Sequence, residues 1–458
     1  MIKKKIQSLY FRAVQALTKD KLISKYQNFD FHKKKLDRYE DKNHPALIFF
    51  KSFNLINKNN ISKGYKLIEN YLKIKKSWNK HKSIKETIKK EIIPECRFIG
   101  SFGNYRTVYN YLYNRINILK INQKPQSFVK THDKINNYYL FSLFKPYLNF
   151  KKNSREYYKN INNIFYNKAP LEIALSFEKK YYPWYVAENL INQHRNKNKK
   201  LEFDYFYLKK KEIEKGYSFL KKNLSNYKWH VTLQVRTNNY KKKSTDQDFR
   251  NSKIENYLSC IRYITSKGGH VFKMGGERLN EDARVKNLIE YENSKFSTPF
   301  MNIFLAATSK FVIGTSSGFW TAASFFNRPL LLTNYLPFLD YFSFNKNCIY
   351  LPKLILNKHG LPLSPAESYN LLKSGYLTNK QQYRIRGHKI KENSSTQILE
   401  SVKEMFYLLN ERNIKEKNYL IRKNKKFKKK YLNKIYFGKK KLIPLAYFSK
   451  QYLKYFTK

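Results

Sequence analysis

The sequence predicts an α/β chain built on a parallel sheet, and three observations predict it. Short apolar, β-branched runs recur from Trp229 onward; segments with apolar residues at helical spacing separate them; glycine-containing turns mark the junctions. Strands in that alternation pair in parallel, because each helix carries the chain back before the next strand begins, and the helices then cover both faces of the sheet.

Taken in order, residues 1–90 are rich in Lys, Asn and aromatic side chains and nearly free of Pro and Gly. Stretches such as KGYKLIENYLKIKKSWNKHKSIKETIKKEI read as helices, and no chemistry is visible in them. The first segment, MIKKKIQSLYFRAVQALTKDKL, spaces Ile6, Leu9, Tyr10, Val14 and Leu17 as a basic amphipathic helix. Such a helix either lies on a membrane surface or packs on its own domain. It lacks the continuous apolar core of a secretory leader, and no apolar run approaches the ~20 residues that span a bilayer. From Glu95, CRFIGSFGNYRTVYNYLYNRINILK reads as a short strand, a turn from Gly100 to Gly103 and a helix, which is one βα unit.

The pattern sharpens at residue 229. WHVTLQVR is a strand buried on both faces; after a polar loop, IENYLSCIRYITSKGG is a helix carrying Ile254, Leu258, Ile261 and Ile264 and stopping at Gly268-Gly269. HVFKMGG is a second strand, MNIFLAATS a short helix and KFVIGTSSG a third strand running into a Gly/Ser/Thr loop. GFWTAASFF is the next helix and PLLLTN a fourth strand. In ENSSTQILESVKEMFYLL, Ser394 and Gln397 fit a capping box. Beyond residue 409 the chain is Lys-dense, and a charge run of this kind is a solvated face or a mobile tail. The domains expected are 1–90, helical and basic; 91–225, a first α/β unit; 226–410, a ligand-binding α/β unit; and 411–458, a Lys-rich tail.

Lys and Arg outnumber Asp and Glu by 92 to 33, a formal charge of +59. One reading is attraction to nucleic acid, anionic lipid or a phosphorylated substrate; the other is codon bias, since Lys, Asn, Ile, Tyr and Phe all have AT-rich codons. Lys is scattered through every segment and Arg is comparatively scarce, so no specific nucleic acid is expected. Cys96, Cys260 and Cys348 are far apart and odd in number, which suits buried thiols in a reducing compartment rather than a disulfide or metal framework.

The strongest chemical signal is KFVIGTSSGFWTAASFF, where a buried strand meets Gly314-Thr315-Ser316-Ser317-Gly318 and a helix begins. Ligands of open α/β sheets sit beyond the carboxyl ends of the strands, and unpaired N–H groups of a first helical turn suit a phosphate. The bland alternative is that Ser and Thr merely cap the helix. Neither GxxxxGK[ST] nor GxGxxG is present. Arg236 ends the first strand of this unit, where a guanidinium can meet a diphosphate through two parallel hydrogen bonds. Lys273 and Glu277 bracket the second glycine turn, the lysine suited to phosphate and the glutamate to ribose hydroxyls. Asp246-Gln247-Asp248 is formally DxD, but it lies in a Lys-rich loop without a second ligand, so no metal is expected there.

The series HVTLQVR, RN before a helix, GGHVFKMGG, MNIFLAATSKFVIGTSSG, RPLLLTN, YLPK and KENSSTQILESVKEM resembles a family of bacterial glycosyltransferases. That family is distantly similar to heptosyltransferases and protein O-fucosyltransferases of GT-B architecture. The resemblance spans roughly 180 residues. It implies two Rossmann-like domains facing a cleft, with the C-terminal one holding a nucleotide-sugar donor. Arg236 matches the family's strand-end arginine, Thr315 to Gly318 its Ser-Gly loop, and Asn334 joins the donor side. Departures are Lys273 in place of an arginine, Glu277 displaced by one from an acidic position at Gly276, and Asn302 where Asp is usual. The implied reaction is metal-independent transfer of a hexosyl or related sugar to a glycan or lipid-linked acceptor. No cofactor beyond the nucleotide-sugar substrate is implied. The implied place is the cytoplasm, with peripheral contact to the inner face of an anionic membrane. Two rivals stay open: a basic nucleic-acid-binding protein, and a catalytically inactive relative that binds a glycan.

Overall fold

The computed structural model describes residues 92–93 and most of 102–456, leaving aside 130–134, 153–173, 238–244, 276–278, 280–284, 337–346, 374–382, 384–386 and a few single positions. The basic amphipathic helix expected at the start, the strand expected at 96–100, Cys96 and Glu277 lie outside the described residues.

The first part is a parallel βαβαβ unit. Strand β1 (Ile92–Ile93), helix α1 (Phe102–Tyr113), β2 (Gln126–Val129), α2 (Tyr138–Phe144) and β3 (Asn149–Lys152) follow one another, and the strands lie in the order β1-β2-β3. A hairpin, β4 (Ala174–Phe177) and β5 (Lys180–Pro183), leads into α3 (Trp184–Lys197) and α4 (Lys210–Asn223).

The second part is a seven-stranded, wholly parallel sheet. Its members are β6 (His230–Gln234), β7 (His270–Met274), β8 (Leu288–Glu290), β9 (Val312–Gly314), β10 (Leu330–Tyr335), β11 (Cys348–Pro352) and β16 (Tyr447–Phe448). The spatial order is β16-β11-β10-β9-β6-β7-β8. Winding therefore runs outward one way from β6 and the other way from β9, the doubly wound order with its switch point between those two strands. A short antiparallel pair, β12 (Leu354–Leu356) with β13 (Lys389–Lys391), and a second, β14 (Tyr436–Phe437) with β15 (Lys440–Lys441), lie outside the sheet.

The α/β class and the parallel strands expected from the sequence are observed. Strand β7 is buried at all five positions and β10 at all six, which is why both read as unbroken apolar runs rather than alternating ones. Helix α5 (Leu258–Ser266) packs with α9 (Ser395–Leu409) on one face, and α6 (Pro299–Thr308) with α7 (Trp320–Phe325) on the other; α8 (Pro365–Lys373) lies between β12 and β13 in sequence. The capping box of α9 is formed by Ser394 and Gln397 as its spacing predicts. Gly268 ends α5 with φ +80°, a left-handed C-cap that a side chain rarely adopts.

Helix α1 packs on α7. Tyr109 stacks on Phe325 with centroids 4.8 Å apart, and the Phe206 amide donates to the Phe325 carbonyl at 2.8 Å. One continuous apolar core thus runs from α1 and α2 into the large sheet.

The Lys-rich segment after residue 411 departs from the tail expected of it. Helix α10 (Ile414–Phe427) buries Leu420 and Phe427, β16 extends the sheet beside β11, and α11 (Lys450–Leu453) closes the chain. The Asn424 side chain donates to the Phe448 carbonyl and accepts from the Phe448 amide, pinning the helix to the edge strand. Apolar residues seven apart anchor a helix whose other faces carry exposed Lys415, Lys425 and Lys426, and the charge run is the solvated side of a folded element.

Candidate functional site

Two neighbouring strand ends make the site. Register places Gln234 of β6 beside Gly314 of β9, so Arg236 and the 315–318 loop emerge together at the carboxyl edge of the sheet, astride the switch point. The Arg236 amide donates to Thr315 Oγ1 at 2.8 Å, and the Thr315 amide donates to the Gln234 carbonyl at 3.2 Å. Ser316 Oγ accepts from the Leu336 amide at 2.8 Å, and the Ser316 carbonyl accepts from the Arg250 guanidinium at 2.6 Å.

These bonds divide the loop's hydroxyls. Thr315 and Ser316 are buried and tie the turn to the Arg236 and Leu336 amides, whereas the helix cap expected of them is not formed: the N-cap of α7, Phe319, has no side-chain cap bond. Ser317 Oγ and, in the helix that follows, Thr321 Oγ1 are buried oxygens with no hydrogen-bond partner in the structure. Gly318 lies against the start of α1: a Cβ there falls 2.6 Å from the Gly103 amide nitrogen. Phe102 and Phe319 meet edge to face at 5.7 Å, and the Arg106 guanidinium lies 5.4 Å from the Trp320 ring centroid. The first part of the chain therefore packs directly against the 318–320 segment.

Positive charge is concentrated here. Arg236 is 6% exposed, and its Nε donates to Asn251 Oδ1 at 2.9 Å. The Asn251 carbonyl accepts from the ammonium of Lys353, which follows β11 and is 2% exposed. Burial pushes Lys353 below the ordinary lysine value, opposed by Glu392 at 3.4 Å. Arg236, Arg250 and Lys353 thus gather around Asn251. Sequence reasoning reached Arg236 but not the other three. Arg250-Asn251 and Lys353 stood within the RN and YLPK motifs, yet nothing along the chain shows that positions 251 and 353 touch.

The remaining expected residues are placed elsewhere or differently. Lys273 is buried within β7; its Nζ donates to the Gly275 carbonyl at 3.3 Å and lies 3.8 Å from Glu290 Oε1, on the side away from β9. Asn334 is fully buried at a bulge of β10 with φ 49°. It exchanges two 2.6 Å hydrogen bonds with Asn393, and its Nδ2 donates to the Tyr257 hydroxyl at 3.2 Å. Its side chain is committed to closing the strand end. The DxD triplet lies on a short 3-10 turn, Thr245–Arg250, where Asp248 Oδ1 accepts from Asn251 at 3.4 Å. Cys260 and Cys348 are buried free thiols. Among the described residues no helix is long and apolar enough to cross a membrane.

Fold and site together define a doubly wound parallel α/β chain with Arg236, Arg250 and Lys353 gathered at the strand ends beside its switch point. No family model matches the chain, and no curated protein matches it. Among solved structures it is similar to the ADP-heptose LPS heptosyltransferase II of E. coli, with 11% identity over 60% of this chain and 96% of that one and a TM-score of 0.38. It is also similar to a glycosyl transferase of family 9 from Veillonella parvula, with 10% identity over 68% of this chain and 80% of that one and a TM-score of 0.30.

Proposed function

We propose that the chain is a glycosyltransferase that takes a sugar from a nucleotide diphosphate donor, without a metal ion, and passes it to a glycan or lipid-linked acceptor. The observation that carries this reading is the Arg236–Thr315 bond at the switch point, which fixes a buried guanidinium beside a Gly/Ser loop at the strand ends. Ligands of doubly wound sheets bind there.

Chemically, transfer of the glycosyl group breaks the bond between the anomeric carbon and the diphosphate, and the diphosphate leaves with added negative charge. Arg236, buried, and Arg250, partly exposed, supply fixed positive charge at the strand ends, and burial raises its worth to a developing anion. In this reading the hydroxyl of Ser317 donates to a ligand oxygen. Lys273 and Asn334, first read as donor contacts, serve in this reading to brace β7 and β10 around those strand ends. The acceptor enters from the side of α1, and the basic outer faces draw the protein to anionic membrane at the inner face of the cytoplasmic membrane.

A titration of the purified chain with ADP, GDP, UDP and CDP tests the reading. Binding of one of them that survives moderate salt, and is weakened about 100-fold in Arg236→Ala, supports it. Binding that collapses steeply with salt for every polyanion supports the nucleic-acid rival instead.

A further inference from the structure

The inference concerns how Arg236 is held, and it rests on the donor-binding reading above. The guanidinium belongs to the end of β6, while Lys353 leaves β11, three strands across the sheet. They meet through one residue. Asn251 receives Arg236 Nε on its side-chain oxygen at 2.9 Å and the Lys353 ammonium on its backbone carbonyl. The next amide, Ser252, donates to the Arg236 carbonyl at 2.8 Å. Both the side chain and the main chain of Arg236 are thereby tied to the 251–252 loop, and Lys353 ties that loop to the far half of the sheet.

Fixing Nε of an arginine fixes the plane of its whole fork, because the guanidinium is rigid and planar. The Asn251 contact therefore contributes to the direction in which the guanidinium plane faces. Lys353 is the costly part of the arrangement. An ammonium 2% exposed loses most of its hydration, and an apolar residue of similar volume fills such a place more cheaply. What an apolar residue cannot supply is charge beside an anion site.

We propose that Lys353, acting through Asn251, is the positioning residue for Arg236, holding the guanidinium in the orientation that receives the donor's diphosphate.

A double-mutant cycle tests this on the full chain, with whichever of ADP, GDP, UDP or CDP binds most tightly as the probe and calorimetry as the readout. Asn251→Ala and Lys353→Met each weaken binding about 10-fold when Arg236 is present and less than about 2-fold in the Arg236→Ala background, because coupled residues act non-additively. Lys353→Arg recovers most of the loss, which a role in folding alone does not require. Equal, additive losses in both backgrounds overturn the proposal, as does wild-type affinity in a folded Lys353→Met. If Lys353→Met does not fold, Asn251→Ala and Lys353→Gln carry the same comparison. Affinity unchanged in Arg236→Ala, or no diphosphate bound by the wild-type chain, removes the donor reading itself. Loss in Arg236→Ala with none in Asn251→Ala removes only the positioning role.

Discussion

The amide of Arg236 donates to the hydroxyl of Thr315 at 2.8 Å, joining the end of β6 to the loop that follows β9. Both residues are buried, so removing the oxygen strands an N–H that has no water to turn to. Thr315→Val, which keeps the shape and deletes the acceptor, should destabilise the fold by about 1–3 kcal/mol. Thr315→Ser should recover most of that. Urea unfolding of the three proteins measures both, and a Thr315→Val chain as stable as wild type would show the bond to be dispensable.

Gly318 touches the first turn of α1 so closely that a methyl group meets backbone, which cannot swing aside as a side-chain tip can. Gly318→Ala should cost about 1–3 kcal/mol, the range for overpacking a tight contact. It should also speed amide exchange across Phe102–Tyr113 relative to the helices of the opposite sheet face. Hydrogen exchange read by mass spectrometry resolves those segments.

These two contacts show where the sequence stopped being informative. HVTLQVR, HVFKMGG, KFVIGTSSG and PLLLTN were legible as strands because a sheet covered on both faces demands unbroken apolar runs, and periodic spacing disclosed α5 and α9. The roles within TSSG were not legible. Thr315 and Ser316 accept the amides that follow β6 and β10, Ser317 does not, and the distinction depends on Leu336 and Arg236 arriving from elsewhere in the fold. The edge strand β16 was hidden for a different reason. It is two residues long and lies among lysines, and its burial depends on Phe427 and Asn424 of a helix that looked like a solvated tail. Lys353 and Asn251 were hidden by distance along the chain, since their meeting follows from strand order.

Histidine 230 gives the fold an acid limit. Its Nε2 faces the Leu305 carbonyl at 2.9 Å, which can only accept, so Nε2 carries the proton and Nδ1 accepts from the Tyr227 hydroxyl at 2.7 Å. Burial holds this imidazole neutral, lowering its pKa from 6.5 to about 4. Between those values the unfolded chain binds more protons than the folded one. Stability from His230 is therefore present in full above pH 6.5 and is lost as pH falls toward 4, about 3 kcal/mol in all. Urea midpoints taken from pH 7.5 down to 4.5 should fall, and His230→Gln should flatten the slope. An unchanged slope in that variant assigns the acid sensitivity to other groups.

Lys353 sets a limit on the alkaline side. Burial lowers its pKa, with Glu392 opposing, so its charge is lost at lower pH than that of an exposed lysine. Affinity for a nucleoside diphosphate should therefore decline before ordinary lysines titrate. Lys353→Arg, charged throughout the accessible range, should remove that early decline. A profile identical in the two proteins would separate Lys353 from the anion site.

The central claim is tested most directly by calorimetric titration of wild type and Arg236→Ala with nucleoside diphosphates at fixed moderate salt, each protein first shown to be folded. The account predicts saturable binding of one diphosphate by the wild-type chain and a loss of about 100-fold or more in the variant, as expected when a buried charged hydrogen-bonding partner is removed. Equal affinity in the two proteins, or none in either, contradicts it.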